Sequence, residues 1–97
     1  MRFEWDPSKA KNNAKKHSIT FEEAVVAFDD PFALIAHDAE HSTPEEDREF
    51  LIGEAWTDTL VVVFTVREEG DKYRIISARC ATRREIRIYE EAKRISL

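Results

Sequence analysis

The second half of the chain contains three strand-like segments joined by very short connections, and this pattern constrains the fold most. Residues 49–56, 60–67 and 72–79 are rich in β-branched and aromatic side chains, and only two to four residues form each connecting turn. A parallel crossover needs a dozen or more residues, so connections this short permit only antiparallel hairpins. The sequence therefore predicts an antiparallel meander.

Helix and strand signals flank this meander on both sides. Asp6 and Pro7 are typical of a helix start, and that helix is predicted to end near Lys16. Thr20 and Thr82 each open a capping-box pattern ahead of a further helix. Short strand patterns lie at residues 3–5 and 32–36. We expect one α+β domain over residues 1–97, with about four antiparallel strands in a meander, two N-terminal helices and a C-terminal helix, the helices on one face of the sheet.

Length and composition exclude several classes of protein. A chain of 97 residues with 42% hydrophobic residues suits one domain with a modest core, and two glycines exclude a collagen-like chain. The single cysteine, Cys80, favours a reducing compartment. The charged first residues and the short apolar runs give no sign of a signal peptide or a membrane span. A cytoplasmic protein without membrane contact is expected.

The net charge of −5 conceals an uneven distribution. Residues 1–20 carry five basic and two acidic side chains, residues 21–58 carry one and twelve, and residues 59–97 carry nine and six. We expect the two positive segments to meet on one face and bind phosphate. The acidic segment is expected to lie away from that face or to dock a basic partner. Acidic residues of positions 45–47 beside the arginines of that face would contradict this expectation.

An arginine cluster in the C-terminal third points to phosphate binding. Six arginines and only one lysine fall within residues 67–87. A guanidinium fork matches phosphate, whereas lysine would serve for solubility. Hairpin geometry predicts that Arg67 lies nearer to Arg74 than to Arg79. The alternative interpretation is a solvated face on which these arginines pair with neighbouring glutamates.

Metal-independent RNA cleavage needs few groups besides these arginines. The 2′-hydroxyl must lose a proton, the departing 5′-oxygen must gain one, and the charge at phosphorus must be stabilised. Glu85, Tyr89 and His17 are the candidates for proton transfer. Each has a structural alternative, since Glu85 completes a capping box, Tyr89 suits the core and His17 can cap a helix.

One motif is misleading. Residues 37–41 read H-D-A-E-H, which matches the H-x-x-E-H pattern of inverted zinc peptidases. That chemistry requires both histidines on one helical face and a third ligand, whereas this segment lies between a strand and a loop containing Pro44. We expect an exposed loop here, and no metal or cofactor.

In combination these residues resemble the BrnT toxin family. The similarity spans nearly the whole chain and is carried by F-E-W-D at 3–6, K-H at 16–17, F-E-E-A at 21–24 and R-I-I-S-A-R at 74–79, with Arg48, Arg67, Glu85 and Tyr89. It implies a RelE-like fold and a ribosome-independent ribonuclease that acts as the toxin of a type II toxin–antitoxin pair. It also implies a BrnA-like ribbon-helix-helix antitoxin, expected in a heterotetramer of two toxins and two antitoxins that binds operator DNA through the antitoxin.

The resemblance also suggests site residues. The functional arginines of the family correspond to Arg67 and Arg79, with Glu85 and His17 as weaker catalytic correspondences. The expected RNA contacts are Arg48, Arg74, Arg83, Arg84, Lys16 and Tyr89. Two positions depart from the family pattern: Ser18 replaces the usual glycine, and Cys80 replaces a common basic residue, which removes one expected phosphate contact.

Two other functions stay compatible with the sequence. A non-catalytic module could bind the antitoxin and tune repression of the operon, and it would need neither an acid nor a base. A general RNA- or DNA-binding domain would show affinity that weakens steeply with salt and would leave the RNA intact.

Overall fold

The computed structural model describes residues 1–67 and 70–96, and these ranges contain five strands and three helices. In chain order they are β1 (Arg2–Glu4), α1 (Pro7–His17), α2 (Phe21–Ala27), β2 (Leu34–His37), β3 (Glu49–Ala55), β4 (Asp58–Arg67), β5 (Lys72–Cys80) and α3 (Arg83–Ser96). Each element lies close to its predicted position. The first half of the predicted turn at residues 68–71 falls outside the described residues.

The five strands form one sheet in the order β1-β5-β4-β3-β2. Strands β2 to β5 make the predicted antiparallel meander, which confirms the argument from short turns. The first strand was predicted without a partner, and it pairs in parallel with β5, so that Phe3 lies beside Tyr73. The sheet is therefore mixed and has five strands where about four antiparallel ones were expected.

Helices cover both faces of the sheet, so the expectation of helices on one face is wrong. α1 and α2 pack over a core that includes Leu51 and Val62. Side chains alternate along a strand, so Ile52 and Val61 point to the opposite face, where Tyr89 of α3 covers them. The apolar run at residues 60–64 indicates that both faces of the sheet are covered, because a strand that is apolar at consecutive positions has both faces buried.

The helix ends follow the capping signals of the sequence. Asp6 accepts a hydrogen bond from the Ser8 N–H at 2.8 Å, and the Thr20 hydroxyl accepts one from the Glu23 N–H at 3.1 Å. α1 is followed by Ser18, whose φ of 61° lies in the left-handed region. Glycine adopts this conformation more easily, so Ser18 retains the turn at a cost of about 1 kcal/mol.

A buried asparagine joins α1 to β5. Asn13 is 7% exposed, and its amide donates to the carbonyl oxygens of Ile19 at 3.0 Å and Ala78 at 2.8 Å. Its side-chain oxygen accepts from the Ala78 N–H at 3.1 Å. Asn13 therefore fixes the part of β5 that carries the next residue, Arg79.

A tyrosine anchors α3 to the loop before β2. Tyr89 is fully buried, and its hydroxyl donates to the Asp30 carboxylate. The same carboxylate accepts the backbone N–H groups of Phe32 and Glu54 at 2.9 and 2.8 Å. Burial, reinforced by Asp30, raises the pKa of Tyr89 well above its ordinary value, so the hydroxyl stays a neutral donor.

Candidate active site

A groove of about 450 Å³ lies on the face of the sheet that α3 covers only in part. Apolar side chains of the sheet, including Phe50, Val63 and Ile76, line it. Its polar lining comes from the end of α1, the loop after β2, the start of β3, β5 and the first turn of α3. These groups, together called the groove residues below, are Lys16, His17, Asp38, Glu40, His41, Arg48, Ser77, Arg79 and Glu85.

Arg79 and Glu85 form a two-point ion pair at the groove. Arg79 Nη1 and Nη2 each lie 2.8 Å from one carboxylate oxygen of Glu85. Glu85 also accepts the Thr82 N–H at 2.8 Å, and Thr82 Oγ1 accepts the Glu85 N–H, which completes the predicted capping box. A guanidinium has five N–H groups, and the Arg79 side chain is 40% exposed, so it retains donors for a phosphate.

The same ion pair decides what Glu85 can do. The hydrogen bonds from Arg79, followed by the one from the Thr82 N–H, lower the pKa of Glu85 to about 2 against the opposing effect of burial. A carboxylate this acidic holds no proton to donate at neutral pH and is a weak base. Glu85 is therefore suited to hold the Arg79 fork in place.

Three more of the predicted site residues lie at the groove. Lys16 and His17 reach it from the end of α1. Arg48 reaches it from the residue before β3, and its Nε donates to Glu46 Oε1 at 2.9 Å. The fold thus brings together Lys16, His17 and Arg48 with the Arg79–Glu85 pair.

The loop after β2 contributes an Asp–His pair that was not among the predicted site residues. Asp38 is 8% exposed, and its Oδ2 lies 2.7 Å from His41 Nδ1. Both residues line the groove. Part of this loop is therefore buried, whereas we expected it to be exposed. Both residues belong to the H-x-x-E-H motif. Because that motif was interpreted only as a zinc-binding pattern, the pair was not predicted.

Arg67 is not one of the groove residues, although Glu46 links its guanidinium to Arg48, at 3.0 Å from Arg67 Nη2 and 2.9 Å from Arg48 Nε. Arg67 pairs with Lys72 at the far end of β4, whereas Arg79 pairs with Val61, six positions earlier on that strand. At roughly 3.3 Å per residue the Cα atoms of Arg67 and Arg79 are about 20 Å apart along the strands. Arg74 faces Thr65, so the prediction that Arg67 lies nearer to Arg74 is confirmed.

The expected separation of acidic and basic surfaces is wrong in part. The two positive segments do meet, because Lys16 and Arg79 line one groove. However, Glu46 of the acidic segment lies 3.0 Å from Arg67 Nη2, and Asp38 and Glu40 line the groove itself. The physical reason is the path of the chain, since the loop before β3 returns along the sheet and brings its carboxylates to the arginines.

The other predicted contacts lie elsewhere. Tyr89 is in the core, and Arg74 pairs with Glu4 at 2.8 Å near the opposite end of β5. Arg83 and Arg84 are exposed on α3, where Arg84 borders a surface on the outer side of the helix. Cys80 is exposed. Desolvation of its thiol, with the carboxylates of Asp58 and Glu23, raises the pKa of Cys80, which does not favour a reactive thiolate.

The sequence of this chain matches the model of a known protein family. A family model described as the ribonuclease toxin BrnT of type II toxin–antitoxin systems matches residues 5–85. The chain belongs to the BrnT family. The match includes all the groove residues, and the family is one of ribonuclease toxins, so an antitoxin partner is implied. No individual curated protein matches significantly.

The BrnT match agrees with the resemblance inferred from the sequence. The α+β architecture is also compatible with a toxin of this kind. Across residues 1–67 and 70–96, no helix of this BrnT-family chain is long and apolar enough to cross a membrane.

Proposed function

We propose that this BrnT-family chain is a metal-independent endoribonuclease that cleaves RNA in the groove and acts as one domain over residues 1–97. The carrying observation is that Arg79 lies in a groove with two histidines and two further cations, Lys16 and Arg48. A phosphodiester needs cationic donors, and the 2′- and 5′-oxygens need proton transfer. The groove residues supply both kinds of group. A cytoplasmic location follows from the proposed RNA substrate.

The roles divide among the groove residues. Arg79, Arg48 and Lys16 bind the phosphate and stabilise its transition-state charge. His17 transfers a proton, because histidine is the side chain that changes charge near neutral pH. Glu85 acts on Arg79, since its low pKa leaves it no proton to donate. Arg67, which was expected to be a catalytic arginine, is proposed instead as an RNA contact outside the groove, where Glu46 is its partner.

We expect the purified toxin, freed of antitoxin by denaturation and refolding, to cleave RNA in excess EDTA. The products should end in a 2′,3′-cyclic phosphate and a 5′-hydroxyl, because the nucleophile is the 2′-oxygen. Mass spectrometry of the fragments identifies these ends. RNA carrying 2′-O-methyl groups is the control and should stay intact. Binding without cleavage would favour the non-catalytic alternatives, and cleavage that requires added Mg²⁺ would contradict the metal-independent route.

We further propose that the partner is a BrnA-like ribbon-helix-helix antitoxin and that the complex contains two copies of each protein. The acidic segment supports a basic partner, because exposed carboxylates such as Glu22, Asp29 and Glu45 would steer it. The expected result of light scattering on the co-expressed complex is the mass of two toxins and two antitoxins. Operator DNA should bind to the complex and to the antitoxin alone, and binding by the toxin alone would contradict this assignment.

A further inference from the structure

We propose that His41, held by Asp38, is the general base that removes the 2′-hydroxyl proton. The inference deepens the ribonuclease function proposed above and rests on it. It assigns a catalytic residue to the loop between β2 and β3, a segment without helix or strand periodicity. The evidence is geometric: a buried carboxylate, a partly exposed imidazole and a shared groove with Arg79.

The Asp38–His41 pair has the arrangement that prepares a histidine to accept a proton. The Asp38 side chain is 11% exposed and the His41 side chain 53%, so the carboxylate lies inside while the ring reaches solvent. Asp38 Oδ2 is 2.7 Å from His41 Nδ1. A carboxylate only accepts hydrogen bonds, so Nδ1 carries the proton and Nε2 presents its lone pair. A buried aspartate performs the same orienting task in Ser-His-Asp hydrolases.

The loop holds this pair firmly. Asp38 Oδ1 accepts the His41 N–H at 3.2 Å, and the Asp38 carbonyl accepts the Ser42 N–H at 3.0 Å. The Asp38 N–H donates to the Arg48 carbonyl at 2.8 Å, and the Arg48 N–H donates to Ser42 Oγ at 2.8 Å. The histidine and a phosphate-binding cation, Arg48, therefore belong to one hydrogen-bonded unit. General base catalysis requires such fixed geometry between the base and the scissile phosphate.

The proposed step balances in protons and electrons. The 2′-oxygen forms a bond to phosphorus while its proton passes to His41 Nε2. The bond between phosphorus and the 5′-oxygen breaks, its electron pair stays on that oxygen, and protonated His17 donates the proton that the oxygen needs. The products are a 2′,3′-cyclic phosphate and a 5′-hydroxyl. Arg79 and Arg48 stabilise the negative charge that accumulates on the phosphoryl oxygens between these events.

The first test compares two histidine substitutions in the purified toxin. His41→Gln should lower kcat for RNA cleavage by at least about 100-fold, the usual range for loss of a general base. The control is His37→Gln, because His37 lies on β2 outside the groove and opposite Glu49. Affinity for 2′-O-methyl RNA should stay within about twofold for both variants, and added imidazole should restore cleavage to His41→Ala. Equal rates for the His41→Gln and His37→Gln variants would overturn the proposal.

The second test separates the base from the acid. A substrate with sulfur in place of the 5′-oxygen has a leaving group that needs no proton. On this substrate His17→Gln should recover the wild-type rate, whereas His41→Gln should stay impaired. The reverse pattern would make His41 the acid and overturn its assignment as base. If the Glu40→Gln variant lost activity while the His41→Gln variant kept it, the general base would be Glu40, and the assignment of His41 would be overturned.

Asp38 acts through His41 as a positioning residue, and its substitution provides a further check. Asp38→Asn should lower kcat and leave KM unchanged, because an amide can hold the ring in the wrong tautomer. A parallel rise in KM would indicate a role in the loop structure alone. If the wild-type toxin leaves RNA intact, the ribonuclease proposal itself fails. If the wild type cleaves and His41→Gln cleaves equally well, only the His41 assignment fails.

Discussion

Replacing Arg79 with alanine is expected to reduce the rate of RNA cleavage about 100- to 1,000-fold, the usual cost of removing a donor that stabilises transition-state charge. Arg79 is the cation of the groove whose guanidinium is fixed at two points by Glu85. That fixation lowers the entropy lost when the guanidinium engages a phosphate. Single-turnover cleavage of a labelled RNA measures the effect, and retention of more than about half the wild-type rate would contradict the assignment.

The structure supplies matched controls for this experiment. Arg67→Ala removes the same side chain from a position on the neighbouring strand whose Cα lies about 20 Å away. We expect its rate to fall by less than about threefold because surface ion pairs contribute little. Arg79→Ala leaves Glu85 without its main partner, so Arg79→Ala combined with Glu85→Ala tests whether an unpaired carboxylate causes the loss. We expect the double variant to stay impaired. A larger loss in Arg67→Ala than in Arg79→Ala would move the phosphate site to the other end of β4.

Asn13→Ala is expected to lower the free energy of unfolding by about 2–4 kcal/mol, since each buried polar group left without a partner costs about 1–3 kcal/mol. The substitution would remove the partners of the Ala78 N–H and of the carbonyl oxygens of Ile19 and Ala78. Urea unfolding followed by tryptophan fluorescence measures the change. The sequence offers a neighbouring control in Asn12→Ala, because Asn12 is exposed, and its change should stay within about 0.5 kcal/mol.

Alanine has a higher helix propensity than asparagine, so helix propensity alone would stabilise both variants. A similar destabilisation in both would therefore show that the buried amide is not responsible. Asn13→Asp gives a further comparison. A carboxylate can accept the Ala78 N–H but cannot donate to the two carbonyl oxygens, so we expect this variant to be at least as unstable as Asn13→Ala.

Local signals in the sequence predicted much of the fold. The caps at Asp6, Thr20 and Thr82 and the short turns between strands depend on residues close together in the chain, so they could be identified without a structure. The parallel pairing of β1 with β5 could not, because nothing in a three-residue strand specifies a partner some 70 positions away. The placement of α3 was missed because the apolar run in β4 was not interpreted as a strand with two buried faces.

The candidate site was predicted less completely, because it depends on contacts between residues that are distant in the sequence. Arg79, Glu85, His17, Lys16 and Arg48 were selected from residue type and family pattern, and the fold brings them to one groove. The register of β4 against β5 separates Arg67 from them, and register cannot be read from turn lengths alone. The Asp38–His41 pair was overlooked because its loop has no periodicity, and backbone hydrogen bonds to Arg48 and Ser42 bury Asp38.

The hydrogen bonds between Asn13 and Ala78 affect when the groove can form during synthesis of the toxin. They join residues 65 positions apart, and β5 lies between β1 and β4 in the sheet. A nascent chain that ends before β5 therefore lacks the strand that holds its first and second halves together, along with Arg79. Contacts this distant in sequence form late in folding. We therefore expect that a working groove forms only after β5 has emerged from the ribosome.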